Sequence, residues 1–581
     1  MTAPTTQREQ HGGTWVLNEG PIETYTPERM TDEHRLIART AREFIDQEVL
    51  PRLAQLETKD WALSRRLVRT CAELGLIGTD VPEEYGGVDL DKVSSIVVAE
   101  EISRSASFGA TFGAQTGLTL IPLVCFGTDD QKRRYVPGLA DGDLVGAYAL
   151  SESGSGSDAL GARARASRQP DGSFVLTGEK MWITNGGFAD LFVVFAKVDG
   201  EHFTAFLVER GFPGVSSGKE EHKMGLHGSS TAPLVLQEVR VPAANVLGEV
   251  GKGHKVAFNV LNYGRFKLGA MASGGAKEAL AQSAKYATTR RQFGQPIGQF
   301  GAIKLKLAAM TARLFAVESA LYRLAGAIDA KLAAGDTMLA ALEEFAIEAS
   351  ITKVAGSEML DFVLDENVQI HGGNGYVADY PAERMYRDAR VNRIFEGTNE
   401  INRLLIPTMF VRRATKGAWP LREALTALGA PPTSNSADLM TRAEAQVRHF
   451  KHLSVLALSV AARRFGEKLG DEQEVLTWIA DMLIETYLAE SAVARARQSS
   501  AAALSTAPLA ADAAVLMTDD TAAHVSSLAR QALVASAEPA ALERCLAATR
   551  AADGLPPLDT VAIRRRLAAA AMERGAYPFA G

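Results

Sequence analysis

The sequence predicts a mainly helical protein with one β domain set into it and an extra helical block at its end. Three observations carry this. Apolar residues recur at helical spacing over 31–140, 248–412 and 437–581. Between the first two blocks, LVGAYAL, SFVLTG, LFVVFAKV and FTAFLVE are short and rich in β-branched and aromatic residues, with turn dipeptides between them. Pro431-Pro432 and a Thr-Ser-Asn-Ser run set off the last block.

Residues 1–30 read as an irregular lead-in. Thr31 and Asp32 are helix-opening types, and Leu36, Ile37, Ala41, Phe44, Ile45 and Val49 follow at helical spacing. Pro82 and Gly86-Gly87 break the 31–140 block with a loop. Ser105–Thr128 is uncharged but carries four glycines and a proline, so it is expected as buried helix and loop rather than a membrane span. Residues 141–247 are expected as a compact antiparallel β domain, with Asp171-Gly172 and Asp199-Gly200 as hairpin turns. In 248–412, Pro296 and Pro381 are expected in loops between helices. Residues 413–436 read as a linker and 437–581 as an appended helical domain.

Composition excludes several classes. With 46% hydrophobic and 23% charged residues among 581, the chain is neither disordered nor fibrous. A formal charge of −7 argues against sequence-independent nucleic-acid binding. Cys71, Cys125 and Cys545 are far apart and form no Cys-x-x-Cys pair, so neither a disulfide framework nor a zinc site is expected. No basic, apolar leader opens the chain, and the expected compartment is a reducing cytoplasm.

Five segments can carry chemistry. AYALSESGSGSDA (147–159) ends a strand with close-approach glycines and serine hydroxyls, yet on its own reads first as a flexible loop. In KMWITNGG (180–187), Trp182 and Thr184 share one strand face, which suits a planar ligand or simple core packing. TRRQFGQPI (289–297) offers Arg290, Arg291 and Phe293 to a phosphate and a base, or to solvent. QIHGGNGY (369–376) allows backbone approach or a helix stop, and its lone His371 argues against a metal. In RIFEGTNEI (393–401), Glu396 sits between apolar residues and a glycine, where desolvation would raise it toward neutrality and make it a base, although read singly it is more often just a loop carboxylate.

Taken together and in this order, these segments, with VPAANVLGEVGKG and LNYGRF, resemble the acyl-CoA dehydrogenase family. The likeness is densest over 31–412 and leans toward the very-long-chain branch, whose members carry a helical appendage. It implies a helical domain, a β barrel-like domain and a four-helix bundle, with FAD between them. It also implies that Glu396 takes the α-proton of an acyl-CoA while the β-hydrogen leaves as hydride to flavin N5. The product would be a trans-2-enoyl-CoA, with electrons passed to electron-transferring flavoprotein. By matching position, Tyr148, Leu150, Ser151, Trp182 and Thr184 would meet the flavin, and Thr398 and Glu400 would hold its near side. Arg290, Phe293, Gln369, Gly372 and Gly373 would reach the FAD of a neighbouring subunit, so a homodimer is implied. Ser157, Asn262, Arg265, Phe395 and Gly397 would contact substrate. Ser151 and Ser153 stand where the family commonly has Thr and Pro, and Asn262 and Thr408 where many members have Asp and Arg. Chain length is expected to depend on residues around 112–126 and 254–262, with Gly109, Gly113 and Gly117 leaving room.

The segment 448–470 has an apolar centre and basic flanks, which suits a core helix or a peripheral contact with the inner face of a membrane. An oxidase using oxygen, and an assembly or scaffold protein on the same fold, remain open alternatives.

Overall fold

Helices α1 (Asp32–Phe44), α2 (Trp61–Glu73), α3 (Lys92–Ile102), α4 (Ala106–Phe126) and α5 (Asp129–Ala140) make up the first block of the computed structural model. It describes residues 7–8, 11–18, 20, 22–417, 419, 436–550 and 558–579. α1 and α5 open on reciprocal caps, Thr31 with His34 and Thr128 with Gln131, which satisfy otherwise orphaned backbone groups. α4 is long and apolar enough to cross a membrane, but 72% of its apolar window is buried inside the protein.

Strands β1 (Gly146–Ala149), β2 (Arg165–Arg168), β3 (Phe174–Thr184), β4 (Leu191–Val198), β5 (His202–Glu209), β6 (Val215–Ser217), β7 (Thr231–Val241) and β8 (Val246–Leu247) follow. They form one sheet in the order β8-β5-β4-β2-β3-β7-β6, with β1 also on β4. Most neighbours are antiparallel, as expected. β1 and β2 instead pair with β4 in parallel, so the centre of the sheet is mixed. Asp199 and Gly200 are both left-handed and turn β4 into β5.

The sheet leads into α6 (Gly253–Thr289), the hairpin Arg291–Gln292/Gln295–Pro296, α7 (Gly301–Ala333), α8 (Ala346–His371), α9 (Pro381–Ala389) and α10 (Asn399–Thr415). Pro381 opens α9 at its first position rather than lying in a loop, because a first-turn residue needs no N–H partner. α10 takes up the first residues of the expected linker. Pro431-Pro432 lies outside the described residues.

The appended block is helical: α11 (Leu439–Phe465), α12 (Gln473–Ala501), α13 (Ala507–Ser536), α14 (Pro539–Arg550) and α15 (Val561–Arg574). It packs on α7 and α10. Within 448–470, Phe450, Leu453, Val455, Ala457 and Leu458 are buried and Lys451 pairs with Glu490, so the apolar centre packs into the core. The lead-in is not featureless either. Trp15 is wholly buried, 5.0 Å from the Tyr487 ring of α12 and 6.2 Å from Phe410 of α10.

Candidate active site

The segment joining α9 to α10 holds two successive left-handed residues, Glu396 (φ 57°) and Gly397 (φ 75°). Such a conformation strains a side chain like glutamate's and persists only where the surroundings over-determine it. Here they do. Arg265 Nε donates to the Glu396 carbonyl at 3.3 Å, and Lys353 Nζ donates to the Gly397 carbonyl at 2.7 Å. Asn402 Nδ2 donates to the carbonyls of Gly397 and Thr398 at 2.8 and 3.0 Å. The backbone is thus tied down on all sides.

The Glu396 carboxylate is treated differently. Its Oε2 is sealed from solvent yet has no hydrogen-bond partner. It lies against α6 at Gly264, where an added Cβ would fall 2.3 Å from Oε2. Burial pushes the carboxyl up to about 7, against the opposing pull of Arg265 and Lys353. An unpaired, desolvated carboxylate near neutrality is poised to accept a proton from a ligand. Arg265, itself buried, donates to Asn262 Oδ1 at 2.9 Å and is lowered to about 10 by burial, opposed by Glu396.

A wall of the sheet domain faces this carboxylate. Tyr148 of β1 is buried, its hydroxyl lacks a partner, and burial followed by the Glu396 charge pushes it well above its ordinary range. Leu150 is buried and Ser151 half-buried just beyond β1. Glu152, which the sequence reading passed over, keeps the next loop from being flexible. It accepts from Lys180 Nζ at 2.7 Å and from the backbone of Arg163 and Ala164 at 2.6 and 3.0 Å. Ser157 is exposed at the loop's far side. In β3 the register against β7 shifts between Lys180 and Ile183, with Trp182 left-handed. This bulge presents an indole 57% exposed beside half-buried Thr184, with Ile183 turned inward.

Thr398 caps α10, accepting from the Ile401 N–H at 3.2 Å, and Glu400 is exposed in the first turn. Phe395 leads into a cavity of about 260 Å³. Ala106, Ala110, Met271, Leu360 and Leu364 line its middle, and Arg104, Glu278 and Gln282 are also in its wall. The Arg104 Nε to Glu278 Oε2 distance is 3.1 Å. The lining comes from 50–57, 103–110, Leu226, 271–282, 360–364 and 381–395, and none of it from 112–126 or 254–262. Gly109 and Gly113 lie behind Met271, where an added Cβ would be 2.9 Å from Cε and 3.9 Å from Sδ respectively. Gly117 faces Tyr263 instead.

Five expected cofactor residues are not brought to this site. Gly264 and Thr289 are separated by about 37 Å of continuous helix. Arg290 and Phe293 follow Thr289, and Phe293 is 92% exposed at the hairpin tip. Gln369, Gly372 and Gly373 end α8 at the same pole, where His371 stacks on Tyr286 with ring centroids 4.2 Å apart. No cluster suited to a metal ion occurs among the described residues.

Models of the acyl-CoA dehydrogenase N-terminal, middle and C-terminal domains match residues 31–143, 147–239 and 251–408, and a further C-terminal domain model matches 449–551. The chain belongs to the acyl-CoA dehydrogenase family. A probable acyl-CoA dehydrogenase of Bacillus subtilis is 43% identical over 98% of both chains. The acyl-CoA dehydrogenase of Bacillus anthracis, solved in complex with FAD, superposes with a TM-score of 0.95 at 43% identity, covering 98% of this chain and 99% of that one. The human very long-chain specific mitochondrial enzyme is 40% identical over 65% of this chain and 57% of its own length. Short-chain specific enzymes match to a similar degree, so identity does not choose a chain length.

In this acyl-CoA dehydrogenase, the wall opposite Glu396 fits a planar cofactor with polar edges. The exposed Trp182 indole offers a face, and the unpartnered Tyr148 hydroxyl and half-buried Ser151 and Thr184 hydroxyls offer edge contacts. Sequence reasoning missed Gly264, Lys353 and Asn402. A lysine inside the apolar run ITKVAG was the only signal for the second.

Proposed function

We propose that this chain is an FAD-dependent dehydrogenase of fatty acyl-CoA thioesters, with Glu396 as the base that removes the α-proton. The observation that carries it is the sealed, unpartnered Glu396 Oε2 at a strained turn, raised to about 7 by burial. The α C–H bond breaks toward this carboxylate, the β-hydrogen departs with its electron pair, and the Cα–Cβ bond becomes a trans double bond. Bound FAD supplies the acceptor for that hydrogen and its electrons, and electron-transferring flavoprotein takes them onward.

The chain's own residues divide the remaining work. Tyr148, Leu150, Ser151, Trp182 and Thr184 hold the ring system on the side opposite Glu396, so that proton and hydride leave from opposite faces. The backbone N–H of Glu396 would donate to the thioester oxygen, where charge develops as the proton leaves. Asn262, Arg265, Ser157, Phe395 and Gly397 receive the substrate. Thr398 and Glu400 steady the near side of the cofactor. Arg290, Phe293, Gln369, Gly372 and Gly373 are too far from Glu396 of their own chain and serve the site of a second copy in a homodimer.

The acyl chain enters the cavity beyond Phe395. The α6 residues of its lining run from Met271 to Gln282, about 17 Å of helix, room for a long acyl chain. This supports a long-chain preference, with the Arg104–Glu278 pair as the floor. Ala110→Phe should then lower turnover of palmitoyl-CoA far more than that of butyryl-CoA, and equal losses would remove the chain-length reading.

Anaerobic titration with palmitoyl-CoA tests the reaction itself. The flavin absorption band should bleach in the wild type and persist in Glu396→Gln. Bleaching in the variant would overturn the assignment of the base.

A further inference from the structure

Lys353 lies in the middle of α8 and is fully buried. A buried ammonium is costly, and cores do not keep one without a task. It has no carboxylate among its hydrogen-bond acceptors. It donates to the Gly397 carbonyl and to Asn399 Oδ1, both at 2.7 Å. Asn399 is anchored in turn, donating to Ser357 Oγ at 3.1 Å and Glu358 Oε1 at 2.9 Å. The ammonium therefore holds the left-handed Glu396–Gly397 turn through the Gly397 carbonyl, while Arg265 holds it through the Glu396 carbonyl.

We propose that Lys353 is a positioning residue for the base: its ammonium pins the Gly397 carbonyl and places positive charge behind the Glu396 carboxylate. This rests on Glu396 being the base. Two actions follow. The first is geometric, and Asn402 shares it through the same Gly397 carbonyl. The second is electrostatic, and Asn402 cannot supply it. The charged or titratable groups facing Glu396 are Arg265 from α6, Lys353 from α8 and Tyr148 from β1. Lys353 itself faces Arg265, Glu400 and Glu358 besides Glu396. Burial lowers Lys353 to about 7, against the pull of Glu396. Removing the cation should raise the carboxyl further, because Lys353 opposes the effect of burial on Glu396.

Lys353→Met, Lys353→Gln and Lys353→Arg test this in the FAD-loaded enzyme, with Glu396→Gln beside them. In the Met and Gln variants the acid limb of kcat/KM should move up by about one pH unit, a roughly tenfold loss of the active base form at fixed pH on that limb. KM and flavin content should stay near wild type, and Lys353→Arg should restore the limb. Lys353→Gln keeps a donor for the Gly397 carbonyl and so stands in if the Met variant does not fold. A wild-type acid limb in Lys353→Gln, or a loss of rate equal at every pH, would overturn the proposal while leaving the base intact, provided Glu396→Gln is inactive. Turnover by Glu396→Gln would instead remove the base assignment, and the role of Lys353 with it.

Discussion

Glu318 and Glu396 are buried carboxylates of the same helical core that meet opposite fates. Glu318, on α7, accepts from Arg495 Nη1 at 2.6 Å and Tyr577 Oη at 2.8 Å, and pairs with Lys277 Nζ at 2.7 Å. Burial pushes its carboxyl up, but Lys277 and Arg495 outweigh burial and hold it below its ordinary range. Glu396 has Arg265 and Lys353 nearby, yet both spend their donors on backbone carbonyls and Asn side chains. Burial then wins, and the carboxyl rises to about 7. Burying a carboxylate does not by itself make a base. What matters is whether neighbouring cations touch the carboxylate or the backbone beneath it.

The comparison can be broken by mutation. Glu396→Gln should lower kcat by about 10²–10⁴-fold, with a melting curve near wild type at pH 5. Glu318→Gln should do the reverse. It leaves Arg495 and Lys277 short of a counter-charge, and urea titration should show a loss of about 3–5 kcal/mol while turnover per folded, flavin-loaded molecule holds. A Glu318 variant that is stable but slow would erase the distinction.

Acid–base linkage gives the smaller effect, and its sign differs between the two groups. The native value of Glu396 lies above the ordinary carboxylate value of about 4.3, so its contribution to stability falls as pH rises from there to about 7. Glu318 is held below its ordinary value, so its contribution is present above about 4.3 and lost on acidification. Glu396→Gln should therefore gain in melting temperature relative to wild type between pH 5 and pH 8. A constant gap would show that the carboxyl is not raised. Activity runs the other way, with kcat/KM rising through about pH 7 as the base ionises.

Much of this was legible in the sequence. Helical spacing, β-branched runs and dipeptides such as Asp199-Gly200 encode local geometry, and local geometry is what periodicity reports. The site motifs were legible as segments, because glycines and a flanked carboxylate mark backbone approach and desolvation. The supporting residues were not. Glu152 finds Lys180, and Lys353 finds Gly397, only through tertiary packing, and nothing in SESGSGSD distinguishes a pinned loop from a loose one. The same limit applies to 448–470, whose amphipathic pattern is identical for a helix facing lipid and one facing α12 and α13.

The burial of Trp15 against Tyr487 sets an order in time. About 470 residues separate the two, so at ribosomal rates the indole waits on the order of half a minute or more for its partner. Part of the lead-in has earlier partners, since Gly13 donates to Glu348 and Trp15 meets Phe410, but Glu28 answers Arg495 and the Asn18 carbonyl answers Lys451, both in the appended block. The lead-in thus completes its packing only once the appended block has been made, and that closure reports the block's arrival.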